Sequence, residues 1–145
     1  MRVAREDEMT KQLSRLLWPA LAVATIAMSS VSAEAGDIRC RVPFDFTVKG
    51  RTLAAGNYEI SEVRGVLTLR GQKDGAIVLT RRVGSSTDHR LRVVFEKYGE
   101  AYVLRQAWMG SGGSEVAPSR QERELAQKAR NGQTAAAERI EIPVL

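Results

Sequence analysis

Between Ile38 and Val48 every second residue is apolar: Ile38, Cys40, Val42, Phe44, Phe46 and Val48 alternate with Arg39, Arg41, Pro43, Asp45 and Thr47. A period of two belongs to an extended chain, whose successive side chains point to opposite faces. The stretch therefore reads as one long strand, with an apolar face turned inward and a polar face turned to water. Pro43 lies on the polar side. It has no N–H to give to a ladder, which marks an edge, a bulge or a bend, and it blunts an edge that would otherwise recruit another strand. The stretch is scaffold rather than site.

From Ile38 to Trp108, short apolar runs alternate with turn signals, the spacing of an antiparallel all-β domain. No helical period of 3.6 competes there, and no repeat of 20 to 50 residues is present. Arg64-Gly65 as a two-residue loop sets Ile60 opposite Leu69 and Glu62 opposite Leu67. Lys73-Asp74-Gly75, read as a three-residue loop with glycine in the left-handed conformation, sets Leu69 opposite Leu79. Gly99-Glu100, read as a type II′ turn, pairs Phe95 with Leu104 and Leu91 with Trp108. The expected fold is mainly β: an antiparallel meander over residues 36–109 forming a small sandwich or barrel, with one short C-terminal helix.

Residues 110–118, with Gly110-Ser111-Gly112-Gly113-Ser114 at their start, have the composition of a flexible linker. Ser119 and Glu122 then form a capping box ahead of RQERELAQKAR, and Asn131-Gly132 supplies a stop. The helix expected over 119–132 carries a Glu124–Lys128 pair at i,i+4. Its apolar stripe is only Leu125, Ala126 and Ala129, so it must dock on the β domain to persist. Residues 133–145 are a tail able to form a short strand through Ile140, Ile142 and Val144.

Residues 1–35 differ in kind. Lys11 and Arg15 precede the uncharged run Leu16–Met28, and small residues follow in SSVSAEAG. That is the pattern of a secretory signal peptide, with cleavage expected after Ala33 or Ala35. The three acids in MRVAREDE are out of place in a leader, which points to Met9 as the true start. A retained anchor is the alternative reading, but the run has 13 residues and contains Pro19, against about 20 needed to span a bilayer. The leader carries four basic and four acidic residues, so the chain's net charge of +5 passes unchanged to the mature part. An exported chain with that balance meets anionic lipid, lipopolysaccharide or acidic polysaccharide rather than nucleic acid, and a basic surface that only confers solubility is the plainer reading. The expected location is the periplasm or the extracellular space.

VPFDFTVKGRTLAAGNY (residues 42–58) and VVFEKYGEAYVLRQAW (residues 93–108) together resemble a group of small exported bacterial proteins. Their signature is VPFDF–V–G–TL–AG–Y, followed by a YG hairpin ending in tryptophan. The resemblance covers about Ile38 to Trp108. It implies proline where Ala54 stands, a departure that loosens the Leu53–Gly56 turn. It implies export and one compact domain, and it transfers no catalytic residue.

Few residues offer chemistry. Cys40 is the only cysteine; its parity with Phe44 and Phe46 places it in the core as an inert thiol, the alternative being an intermolecular disulfide. His89 is the only histidine, in the segment Ser85-Ser86-Thr87-Asp88-His89. Those residue types are the ones a hydrolase triad uses, but triads are assembled from separate elements of a fold. The expectation is no catalytic site, no metal site and no cofactor; one histidine and one cysteine cannot build a zinc set within one chain. Arg90 and Arg92 share a strand face, and the turn at Gly99 brings Arg105 opposite Val94 on that side. Arg90, Arg92 and Arg105 are thus the candidate anion-binding set, with a mixed-charge face including Glu96 as the plainer alternative. The expected function is a non-enzymatic binding or structural accessory of the bacterial envelope, whose partner is an envelope protein or an anionic surface; the alternatives are a polyanion or anionic-lipid-surface binder working through the Arg90, Arg92 and Arg105 face, and a small hydrolase working from the Ser85–His89 loop. No transmembrane segment is expected after cleavage, and the chain is expected to be a monomer or weak dimer.

Overall fold

The computed structural model describes residues 37–110 and 112–145. The expected leader, its Met9 start and both cleavage positions lie outside these residues. The elements in order are β1 (Ile38–Val42), β2 (Phe46–Val48), β3 (Arg51–Leu53), β4 (Gly56–Val63), β5 (Val66–Gly71), β6 (Gly75–Ser85), β7 (Arg92–Tyr98), β8 (Ala101–Trp108), β9 (Gly112–Val116), α1 (Arg120–Arg130) and β10 (Glu138–Pro143). The fold is mainly β, and every ladder is antiparallel except the bridge between β2 and β8.

Pro43 decides the architecture. The alternation runs straight through it, with Ile38, Cys40, Val42, Phe46 and Val48 all buried. The ladder does not. The expected single strand is two strands: β1 pairs with β4, from Ile38↔Ile60 to Val42↔Gly56, while β2 pairs with β3 and touches β8 at Thr47↔Val103. A residue without an N–H ends the first ladder, and Phe44 bridges the gap with its ring stacked on Tyr102 at 3.8 Å. Phe46 lies edge-on to Phe95 and to Tyr58, with ring centroids 5.2 Å and 5.3 Å apart.

The strands follow the order β1-β4-β5-β6-β9-β8-β2-β3, with β7 and then β10 carried on β8. This departs from a plain meander at β1, which skips to β4, and at β9, which lies between β6 and β8. Strand β6 is shared: Gly75–Leu79 pairs with β5, and Thr80–Ser85 pairs with β9. The sheet is not a closed barrel. A single backbone hydrogen bond, from Leu145 N–H to the Arg39 carbonyl at 2.9 Å, joins the C-terminal end to β1.

Two expected registers hold and two change. The β4–β5 hairpin sets Ile60 opposite Leu69 and Glu62 opposite Leu67, with Arg64 and Gly65 both at positive φ (51° and 80°), as a type I′ turn demands. Phe95 faces Leu104, but a bulge follows, so Trp108 meets Arg92 rather than Leu91. On β6 the expected face is inverted. Leu69 meets Ala76 and Val66 meets Leu79, which buries Ala76 and Val78 and leaves Ile77 and Leu79 73% and 77% exposed. The loop is one residue longer than expected, Gly71–Asp74, closed by Gly71 N–H to the Asp74 carbonyl at 2.8 Å. Gly75 is required by crowding rather than by a left-handed φ, since a Cβ there would stand 2.9 Å from the Leu69 carbonyl oxygen.

The expected linker is also corrected: Gly112–Val116 is a strand. Small residues allow it, because a Cβ on Gly113 would stand only 2.9 Å from the Trp108 ring. The capping box is present, with Ser119 Oγ accepting from Glu122 N–H and the Glu122 carboxylate accepting from Ser119 N–H. Glu122 is 2% exposed and also accepts from Gly50 N–H at 3.4 Å, which pins the helix start to the β2–β3 turn. Glu124 pairs with Arg120 rather than Lys128. The tail does form a strand: β10 runs antiparallel to β7, with Ile140 opposite Phe95 and Ile142 opposite Val93.

Three stability measurements check this arrangement. Leu67→Ala removes a fully buried side chain and is expected to cost about 2–5 kcal/mol in denaturant unfolding. Leu79→Ala changes stability by less than about 0.5 kcal/mol; the reverse order would restore the register expected from sequence. Ser119→Ala removes one capping bond and is expected to cost about 1 kcal/mol, read by the same unfolding curves.

Candidate functional site

The three arginines singled out by sequence do not form an open cluster. Arg90 turns back on its own loop and pairs with Asp88 at 2.7 Å. Arg92 lies 3.7 Å from Glu141 and 3.9 Å from Asp88, with its guanidinium 4.8 Å over the Trp108 ring. Arg105 donates to Glu96 at 2.8 Å, and Tyr98 O–H donates to the same carboxylate. The bulge between Val94 and Phe95 sets Gln106, not Arg105, opposite Val94, and so aims Arg105 across the sheet at Glu96. The groove there, about 240 Å³, carries Glu96, Glu115, Arg105 and Arg139. Its charges balance.

Protonation follows from these contacts. Burial pushes the Glu96 carboxyl up, but hydrogen bonds from Tyr98 and Arg105 outweigh it and hold the group below the usual glutamate range. The Arg90 hydrogen bond lowers Asp88. Burial, then the hydrogen bond to Glu96, raises the Tyr98 phenol. These groups join β7, β8 and the 86–91 loop, and they satisfy one another.

The Ser85–His89 segment assembles no relay. Ser86 Oγ accepts from Asp88 N–H at 3.1 Å, and the Asp88 carboxylate is occupied by Arg90. His89 is exposed, and among the described residues no hydrogen bond joins it to either serine. Cys40 is 1% exposed and opposite Tyr58, with its thiol pushed by burial from 9.0 to about 11. Among the described residues no three His, Cys, Asp or Glu side chains gather as metal ligands. No described helix is long and apolar enough to cross a membrane.

A different surface emerges on the outer face of β1, β4, β5 and β6. Cross-strand partners share a face, so the pairing defines its rows. Arg39, Glu59, Arg70 and Gly75 form one row, Ser61, Thr68 and Ile77 the next, and Val63, Val66 and Leu79 a third. Arg41 stands beside Arg39, two residues on along β1. A groove of about 520 Å³ opens over the charged end, lined by Arg39, Asn57, Glu59, Arg70, Gln72 and Leu145. Sequence reasoning placed Arg39 and Arg41 on the water face, but it turned Leu79 inward and so left this surface unread. No family model, curated protein or solved structure matches the chain.

The position of Cys40 makes an alkaline prediction. Its folded pKa lies above the unfolded value, so unfolding becomes easier as pH rises from 9.0 toward about 11, where only the unfolded thiol ionises. Cys40→Ala is expected to remove that component of the alkaline slope in urea midpoints. A thiol reagent at neutral pH is expected to label the wild type only in denaturant; rapid native labelling would show the sulfur accessible.

Proposed function

We propose that this chain is an exported, non-enzymatic β domain serving as a binding or structural accessory of the bacterial envelope. The observation that carries the reading is the leader pattern of residues 9–35, a basic start, a short apolar run and small residues before Gly36. It is joined to a compact sheet whose chemistry-bearing side chains are spent on structure. Cys40 is a core residue, Asp88 anchors its own loop, and Arg92 and Arg105 are matched by carboxylates. The motifs at 42–58 and 93–108, with their likeness to small exported bacterial proteins, support the same reading.

Expression of the full chain with a C-terminal tag, followed by fractionation and intact-mass measurement, tests it. The expected product lies outside the cytoplasm and begins at Glu34 or Gly36. A cytoplasmic product retaining residues 9–35 would overturn the reading.

A further inference from the structure

The outer face of β1, β4, β5 and β6 is amphipathic along the strands, and nothing among the described residues covers it. At one end Arg39, Arg41 and Arg70 are exposed, and among the described residues none of the three enters an ion pair. Acidic groups near them are Glu59, in the row of Arg39 and Arg70, Asp37, which precedes β1 with the same parity, and the carboxylate of Leu145, a residue that lines the same groove and donates its N–H to the Arg39 carbonyl. At the other end Ile77 and Leu79 stand 73% and 77% exposed beside Val63, itself 45% exposed. Val66 and Arg70 are four residues apart on β5, so about 13 Å separates the apolar end from the charged end.

We propose that this face docks on an anionic lipid surface, with Arg39, Arg41 and Arg70 on headgroup phosphates and Ile77, Leu79 and Val63 in the interfacial layer. Charge complementarity selects the partner. Three exposed guanidinium groups that enter no ion pair among the described residues, in a chain of net charge +5, are drawn to a negative leaflet. The apolar rows exclude the polysaccharide alternative, which would use the arginines and leave Ile77 and Leu79 in water. Peripheral membrane binding needs both terms, since its strength adds buried apolar area to electrostatic attraction. Arg90, Arg92 and Arg105 take no part. The assignment rests on the proposed envelope location, where such a surface is met.

The test uses the full chain and sedimentation with vesicles of phosphatidylcholine, with or without phosphatidylglycerol. Intact mass gives the N-terminus of each preparation, and each variant is compared with wild type carrying the same one. Wild type is expected to bind the phosphatidylglycerol vesicles more tightly, and less so at high salt. Arg39→Gln/Arg70→Gln is expected to lower that affinity about 25-fold, roughly fivefold per arginine. Ile77→Ser/Leu79→Ser is expected to lower it at least about tenfold, while Arg90→Gln leaves it unchanged. All five positions are exposed, and far-ultraviolet circular dichroism of each variant confirms the fold. Unchanged binding by the arginine double variant overturns the proposal. So does retention on dextran sulfate by a protein whose lipid binding ignores Ile77 and Leu79. Loss of the vesicle effect with leader cleavage intact overturns this face alone; an uncleaved cytoplasmic chain that still binds overturns the location and leaves the face standing.

Discussion

The structure depends on one conflict between side chains and backbone. The side chains from Ile38 to Val48 ask for a single buried face, and all but the half-buried Phe44 get it. The backbone at Pro43 cannot sustain one ladder through that length. The compromise is a corner: β1 stays with β4, β2 leaves for β3 and β8, and the aromatic rings of Phe44 and Phe46 fill the space where the paths part. From that corner follow the strand order, the meeting of β1 with β4 rather than β2, and the row in which Arg39, Glu59 and Arg70 stand together.

What was legible in the residues was local. A two-residue turn with glycine in second place fixes its hairpin, as at Arg64-Gly65, because backbone twist and facial pattern agree. The capping box at Ser119 and Glu122 and the apolar alternation of the tail are signals of the same short range. The inverted face of β6 was not legible. Ala76-Ile77-Val78-Leu79 is apolar on both sides, so binary pattern gives no preference between registers; the choice falls to crowding at Gly75 and to the capacity of the core. Strand β9 was invisible for the opposite reason. Its residues Gly112, Gly113 and Ser114 carry no strand signal, and the strand exists because β6 and β8 pair with it on either side, with the Trp108 ring leaving no room for a Cβ at Gly113.

The candidate site divides along the same line. Spacing along one chain placed Arg90 and Arg92 on a common side, but their carboxylate partners come from Asp88 nearby and from Glu141 far along the chain. The bulge that turns Arg105 toward Glu96 leaves no mark on residue types. The amphipathic outer face is written across four strands in three rows, and a reader needs the pairing of β1, β4, β5 and β6 before its polarity can be seen.

Strand β6 carries a consequence for cooperativity. Its first half is bonded to one group of strands and its second half to the other, with Thr80 N–H bonded to Gly65 at 2.8 Å and Thr80 paired with Val116. The two ladders meet at the Leu79–Thr80 junction, so loosening either one disturbs the backbone on which the other begins. The outer rows of Ile77 and Leu79 are thereby tied, along one strand, to the pairing of β6 with β9 as well as to β5.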